Sequence, residues 1–281
     1  MGFSQVSLLP ICEIPYAKYL DCGADAFYEV ALTHWLTSSG QNQQPHNGMV
    51  IRLQGFDRGL FGGNFHTHNT LQHIPPGVDA VCWSNGEDYV RGFRHAIAQA
   101  RAGRVVLTVD CTHLLNLRHL FDKQDRLWER CYPANDEHGM MGFNDVRRYG
   151  TSGVMAIVTY GNGVVTALQA RRSLVRSGAL ADESMVDIID CPYISGVPES
   201  LRSLVPRYQG ILFADICKEG VGSSVLSSMA VSLHRDELLP PTWDVVAAPR
   251  TYNPLGSTCT FLNEADISNM IVRIMSKLSS E

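Results

Sequence analysis

The chain has 281 residues, a formal charge of -5 at neutral pH, and 45% hydrophobic against 18% charged residues. These are the proportions of an ordinary globular chain, long enough for about two domains. They exclude the basic field that a nucleic-acid binder needs. No run reaches the roughly 18 apolar residues that cross a bilayer, so no membrane role is expected. Eight cysteines are scattered without a CxxC pair, which predicts free thiols in a reducing compartment.

In chain order, Val6 to Ile14 is a short apolar run that reads as a strand. Tyr16 to Leu36 reads as a helix, with Leu20, Ala24, Phe27, Ala31 and Trp35 three or four residues apart. Met49 to Leu53 and Val78 to Trp83 are the next strands. Asn85 to Arg101 is a helix, with Asn85 placed to cap it and Gly103 just past its end. Arg104 to Asp110 is a fourth strand. Leu114 to Gly150 is polar and without period, and reads as a linker with a domain boundary near residue 140.

A second alternating unit follows. Its strands are VMAIVTY, MVDIID (Met185 to Asp190), GILFAD (Gly210 to Asp215) and Trp243 to Ala247. Its helices are Val164 to Ser177, Pro198 to Val205, a segment opened by Gly220-Val221-Gly222 and running to Leu233, and Glu264 to Leu278. Apolar strands alternating with helices predict an α/β fold of two domains with mainly parallel sheets covered on both faces.

Between the second and third strands lies GLFGGNFHTHNTLQHIPPG, Gly59 to Gly77, with His66, His68 and His73 close together. Loops of this kind on an α/β scaffold commonly carry function. The histidines could ligate zinc, face a substrate as proton donor or charge stabiliser, or simply cap turns. Tyr160-Gly161-Asn162-Gly163 follows a strand and opens a helix, as a dinucleotide fingerprint does, and Asp190 ends the next strand. The third glycine of that fingerprint is Thr166 here. The nicotinamide reading therefore competes with a tight turn. Gly220-Val221-Gly222-Ser223 could likewise hold an anion at a helix start or serve as a turn. Tyr16, just after a strand end, could stack on a flat ring or belong to the core.

Three stretches taken together resemble one family. Glu13-Ile14-Pro15-Tyr16-Ala17-Lys18-Tyr19 is similar to its EIQFADY segment. GGNFHTHNTLQHIPPGVDAVCWSN is similar to its GG…HSQ…H-x-PG segment. AIVTYGNGV, VDIIDCPYISGVPESL and ILFADICKEGVGSSV resemble its C-terminal domain in order and spacing. The family is the beta subunit of the thiamine-diphosphate-dependent 2-oxoacid dehydrogenases of pyruvate or branched-chain type.

The resemblance implies a transketolase-type pyrimidine-binding domain over residues 1–140, incomplete at its N-terminus, and a transketolase C-terminal domain over 141–281. It implies thiamine diphosphate shared with an alpha subunit in an α2β2 assembly, with magnesium held by that partner, whose GDG motif is not in this chain. It also implies acyl transfer to a lipoyl-bearing acyltransferase. Tyr16 matches the aromatic that packs on the cofactor pyrimidine, and His66 the histidine near the reacting carbon, with His68 one position from the same match.

The sequence departs from the family pattern in ways that matter. AQARAG stands where relatives place an acid beside a potassium site. The family segment carrying the glutamate that activates the cofactor precedes the EIQF-like strand and is not in this sequence. Without that segment one face of the first sheet lacks packing and apolar surface is expected to be exposed; the two expectations are a sequence that starts late, or a non-catalytic scaffolding relative. The compartment implied is the mitochondrial matrix or plastid in a eukaryote and the cytoplasm in a bacterium.

Overall fold

The apolar runs of the sequence become the strands of two sheets. The computed structural model describes residues 2–39, 46–56, 74–134, 139–151, 153–220, 225–251 and 261–280. After one helical turn, α1 (Gly2–Gln5), the first sheet is built from β1 (Ile11–Ile14), β2 (Met49–Gly55), β3 (Val78–Val81) and β4 (Val105–Cys111). Its order is β1-β2-β4-β3 and every pairing is parallel. Helix α2 (Ala24–Ser39) lies between β1 and β2, and α3 (Gly86–Arg101) joins β3 to β4.

The second sheet holds β5 (Arg147–Tyr149), β6 (Met155–Thr159), β7 (Val186–Asp190), β8 (Gly210–Lys218) and β9 (Thr242–Ala248). Its order is β5-β7-β6-β8-β9, with β5 antiparallel and the rest parallel. Its helices are α4 (Asn162–Arg176), α5 (Glu199–Leu204), α6 (Val225–Arg235) and α7 (Glu264–Leu278).

Strands β3, β4, β6 and β7 are buried at every position. Continuous apolar runs do this when helices or a neighbouring sheet cover both faces. The expected α/β architecture with mainly parallel sheets is what the chain adopts. Helix α3 begins where its cap predicts: Asn85 Oδ1 accepts from the Asp88 N–H at 3.0 Å. Small residues line its buried face, and a Cβ at Gly92 would come within 2.2 Å of the Trp83 indole. Helix α7 matches its predicted span and carries a capping box between Asn263 and Asp266.

Several expectations need correction. Val6 to Ile14 is not one strand, because Ser7 has a φ of +62° and the strand covers only Ile11–Ile14. The Tyr16–Leu36 helix is two pieces, a 3-10 segment at Ala17–Gly23 and then α2. Within α2 Phe27 and Ala31 are buried as the stripe predicts, while Trp35, one turn further on, is 52% exposed. The linker region contributes β5, whose Arg147 pairs with Asp190 across the sheet. The helix after Gly220 is described only from Val225. Exposed apolar surface does fall on the first sheet and its helices, at Phe3, Leu8, Ile11, Tyr28, Leu32 and Leu36. The described cysteines are free thiols.

The two sheets are joined at the free edge of β3. Ile194 N–H donates to Ala80 O and Cys82 N–H to Pro192 O, each at 2.8 Å, and Val81 forms an antiparallel bridge with Tyr193. The segment after β7 thus satisfies an edge that would otherwise be open. Nearby, the turn between β6 and α4 inserts against β3 and β4. Gly161 has φ +52° and ψ -133°, and a Cβ there would lie 2.8 Å from both Cys82 Sγ and Cys111 Sγ.

Gly161→Ala is expected to cost about 2–4 kcal/mol, from backbone strain and overpacking together. Gly178 also has positive φ but open space around it, so Gly178→Ala is expected to cost only about 1 kcal/mol. Urea unfolding midpoints check the pair, and equal losses would refute the packing role of Gly161.

Candidate active-site edge

Ligands of open parallel sheets gather at the carboxyl ends of the strands. At that edge Tyr16 stands two residues beyond β1, in extended conformation before the 3-10 turn. Its ring is partly exposed and meets Tyr19 edge-on at 5.5 Å between centroids. The following turn rests directly on the sheet, since a Cβ at Gly55 would come 3.0 Å from Ala17 Cβ and 3.2 Å from Val109 Cγ1. Ala17, the residue after Tyr16, is thereby seated on the sheet. His66, with His68 and His73, lies outside the described residues.

The strands also carry buried acids, Asp79, Asp110, Asp187, Asp190 and Asp215. Three are fully supplied by the protein. Asp79 receives the Arg104 guanidinium at 2.5 and 2.6 Å and the Tyr193 hydroxyl at 3.0 Å. Asp187 receives the Tyr208 hydroxyl at 2.9 Å and the Gly153 N–H at 3.2 Å. Asp215 receives the Tyr160 hydroxyl at 2.8 Å, the Cys217 N–H at 2.9 Å and the Leu226 N–H at 2.7 Å. The other two each keep an Oδ1 without a hydrogen-bond partner. Asp110 Oδ2 accepts from Arg52 Nε at 2.6 Å and from the Tyr89 hydroxyl at 3.4 Å. Asp190 Oδ2 accepts from the Ser84 hydroxyl.

Electrostatics separates these two carboxyls. Burial pushes Asp190 up to about 8, with Ser84 pulling the other way, so it holds its proton at neutral pH. Burial also raises Asp110, while the adjacent Arg52 guanidinium favours its charged form. Around them Arg147 grips Asp88 with two 2.5 Å bonds, and Trp128 Nε1 donates to Ser84 O at 3.2 Å. Sequence reading passed over Arg52, Ser84 and Asp110. The available signal was a charge inside an apolar strand, Arg52 in MVIRLQG and Asp110 in RVVLTVD, which is costly unless answered.

The competing motifs are filled by the chain itself. The Gly161 turn is packed against two sulfurs, Gly163 would place a Cβ 2.1 Å from Thr159 Oγ1, and Asn162 Nδ2 donates to Phe56 O at 2.6 Å. A pyrophosphate has no approach there, and Asp190, the expected ribose acid, is sealed against Ser84. The nicotinamide reading loses its geometry. Of the Gly220-Val221-Gly222-Ser223 stretch only Gly220 is described; the Leu226 N–H in the following helix is already taken by Asp215. Among the described residues no cluster of His, Cys, Asp or Glu is placed to hold a metal ion.

No protein-family model and no curated protein matches the sequence. Solved structures do. A split-gene transketolase, an inactive beta4 tetramer, superposes with a TM-score of 0.62 at 12% identity over 98% of this chain and 78% of its own. A transketolase mutant from Pichia stipitis gives 0.59 at 12% identity over 96% of this chain, which spans 34% of that one. At such identities the likeness is one of fold: the chain has a transketolase-type fold.

The raised Asp190 has a thermodynamic consequence. Its folded form keeps a proton that the unfolded chain releases between about pH 4 and the folded value of about 8. Stability from this group is complete below that window and is lost as pH rises through it. Asp190→Asn cannot lose the proton. The stability of wild type relative to this variant is expected to fall by a few kcal/mol between pH 5 and pH 8.5, measured by urea unfolding; parallel pH profiles would mean that Asp190 is ionised in the fold.

Proposed function

From this transketolase-type fold we propose that the chain is the beta subunit of a thiamine-diphosphate-dependent 2-oxoacid dehydrogenase, with pyruvate or a branched-chain 2-oxoacid as substrate. In this reading residues 1–140 form the pyrimidine-binding domain and 141–281 the C-terminal domain. The carrying observation is Tyr16, a partly exposed aromatic at the carboxyl end of β1 whose neighbour Ala17 packs on the sheet. A flat heterocycle can stack there.

The described residues fit one half of such a cofactor. Tyr16 offers a wall for the pyrimidine. At the amino ends of α3, α4 and α6, N–H groups and space are taken up by the chain's own Asn85, Cys82, Cys111 and Asp215. That favours a diphosphate and magnesium held by an alpha subunit. When bound, the cofactor supplies the carbanion that attacks the 2-oxo carbon and accepts the charge left as carbon dioxide departs. This chain orients the ring through Tyr16, and His66 is the proposed proton-handling group toward the lipoyl acceptor. The exposed apolar residues of α1, β1 and α2, Phe3, Leu32 and Leu36 among them, support a protein partner, since patches of this kind mark interaction surfaces.

The test is co-expression with the alpha subunit of a 2-oxoacid dehydrogenase from the same source. A stable complex that binds thiamine diphosphate with magnesium is expected. Tyr16→Ala should weaken cofactor affinity by about tenfold, from the lost stacking, without dissolving the complex. Absence of both complex and cofactor binding would reject the reading.

A further inference from the structure

We propose that Asp190 is a pH-sensitive latch on the seam between the two sheets, closed while its carboxyl is protonated and released when the proton leaves. Asp190 ends β7, and Pro192 and Ile194 just after it carry backbone bonds to the edge of β3. Ser84, three residues beyond β3, donates its hydroxyl to Asp190 Oδ2. One side-chain contact therefore brackets the seam that the Cys82 and Ile194 N–H groups close at 2.8 Å each.

The surroundings suit a carboxylic acid and not a carboxylate. Asp190 is 1% exposed, Ser84 is its one side-chain donor among the described residues, and Oδ1 has no partner. A buried charge needs a counter-charge or several donors. The cation on the neighbouring strand is Arg147, the register partner of Asp190 on β5. Its guanidinium is already committed, to Asp88 through two 2.5 Å bonds and to Glu87 at 3.3 Å. Two acids of α3 against one guanidinium leave a negative field before Asp190 ionises. The other titratable groups facing it are Cys82 after β3, Tyr149 on β5 and Cys191 after β7. Burial pushes all three up, so they stay neutral at ordinary pH and offer no compensation. Burial likewise raises Asp190 to about 8, with Ser84 restraining the rise.

The opening is local. When the seam parts, the segment 191–195 leaves β3, the Val81–Tyr193 bridge breaks, and the β3 edge meets water. Asp190 is then solvated and ionises at its ordinary value of about 4. Opening thus releases a proton anywhere between about pH 4 and the closed-state value of about 8. The opening equilibrium rises about tenfold per pH unit inside that window and levels off above it. The latch is firm in acid and loosest in mild alkali. It depends on neither the cofactor nor the partner proposed above.

Amide hydrogen exchange on the full chain, resolved by NMR and corrected for the intrinsic effect of pH, reads the opening directly. The Cys82 and Ile194 N–H groups should lose protection about tenfold per unit between about pH 5 and about pH 7. At each pH they should exchange faster than Ile157 and Leu212, in the core strands β6 and β8. Asp190→Asn keeps the shape of the protonated acid and cannot ionise, so the slope should vanish. In the infrared, a carboxylic acid C=O band should fade near about pH 8 in wild type. It should fade at higher pH in Ser84→Ala, which removes the restraining donor. Protection that is flat with pH in wild type, or an equal slope in a folded Asp190→Asn, overturns the proposal. So does protection equal to that of Ile157 and Leu212, which would mean global unfolding instead of a local opening. If Asp190→Asn does not fold, Ser84→Ala decides, and a band that fades at the wild-type pH overturns the proposal.

Discussion

Three short contacts at the edge of β3 hold the molecule in its working arrangement. The Ala80 carbonyl, the Cys82 N–H and the Val81 bridge are all answered by residues Pro192 to Ile194, which follow β7 of the other sheet. An edge strand with unanswered backbone groups is a liability in water and a heavy cost when buried. Because β3 is buried throughout, this pairing decides how the second sheet must stand against the first. Ser195 adds a side-chain oxygen to the Ala80 N–H at 2.8 Å, and Arg104, Asp79 and Tyr193 bind the same seam with charge. Near this seam the turn after β6 packs its Gly161 against Cys82 and Cys111, at the ends of β3 and β4.

The buried aspartates show how the same residue type takes different roles from its surroundings alone. Where two or three donors converge, as on Asp215, the carboxylate is a structural tie between a strand end and a helix start. Where a hydroxyl is the single donor, as Ser84 is for Asp190, burial wins and the group stays protonated. Where a guanidinium stands on one side, as Arg52 does for Asp110, burial raises the carboxyl, the guanidinium opposes that shift, and one oxygen stays without a partner.

The helix α2 is apolar on two sides. Phe27 and Ala31 face the core, and Tyr28, Leu32 and Leu36 face outward. A helix of this kind is at rest only when both sides are covered. This gives the first sheet a character unlike the second, where α4 is buried all round over its first two turns and α7 buries one stripe, Ile267, Ile271 and Ile274.

Much of this protein was legible in its sequence. The strands β2, β4, β6 and β7, the cap of α3, the span of α7 and the α/β class follow from apolar runs, turn residues and a capping side chain, because these are short-range effects. The placement of Tyr16 at a strand end was legible for the same reason. The sequence could not show that Tyr16 to Leu36 breaks into a 3-10 segment and a helix, because that change of pitch comes from packing Ala17 against Gly55 and Val109. Nor could it show whether Gly161 and Gly163 cradle a phosphate or admit two sulfurs and a threonine, since both uses ask for glycine. Arg52 and Asp110 lie 58 residues apart and meet only through the β2–β4 register. Long-range pairing of strands, which no local pattern encodes, decided which charges were answered and which oxygen was left without a partner.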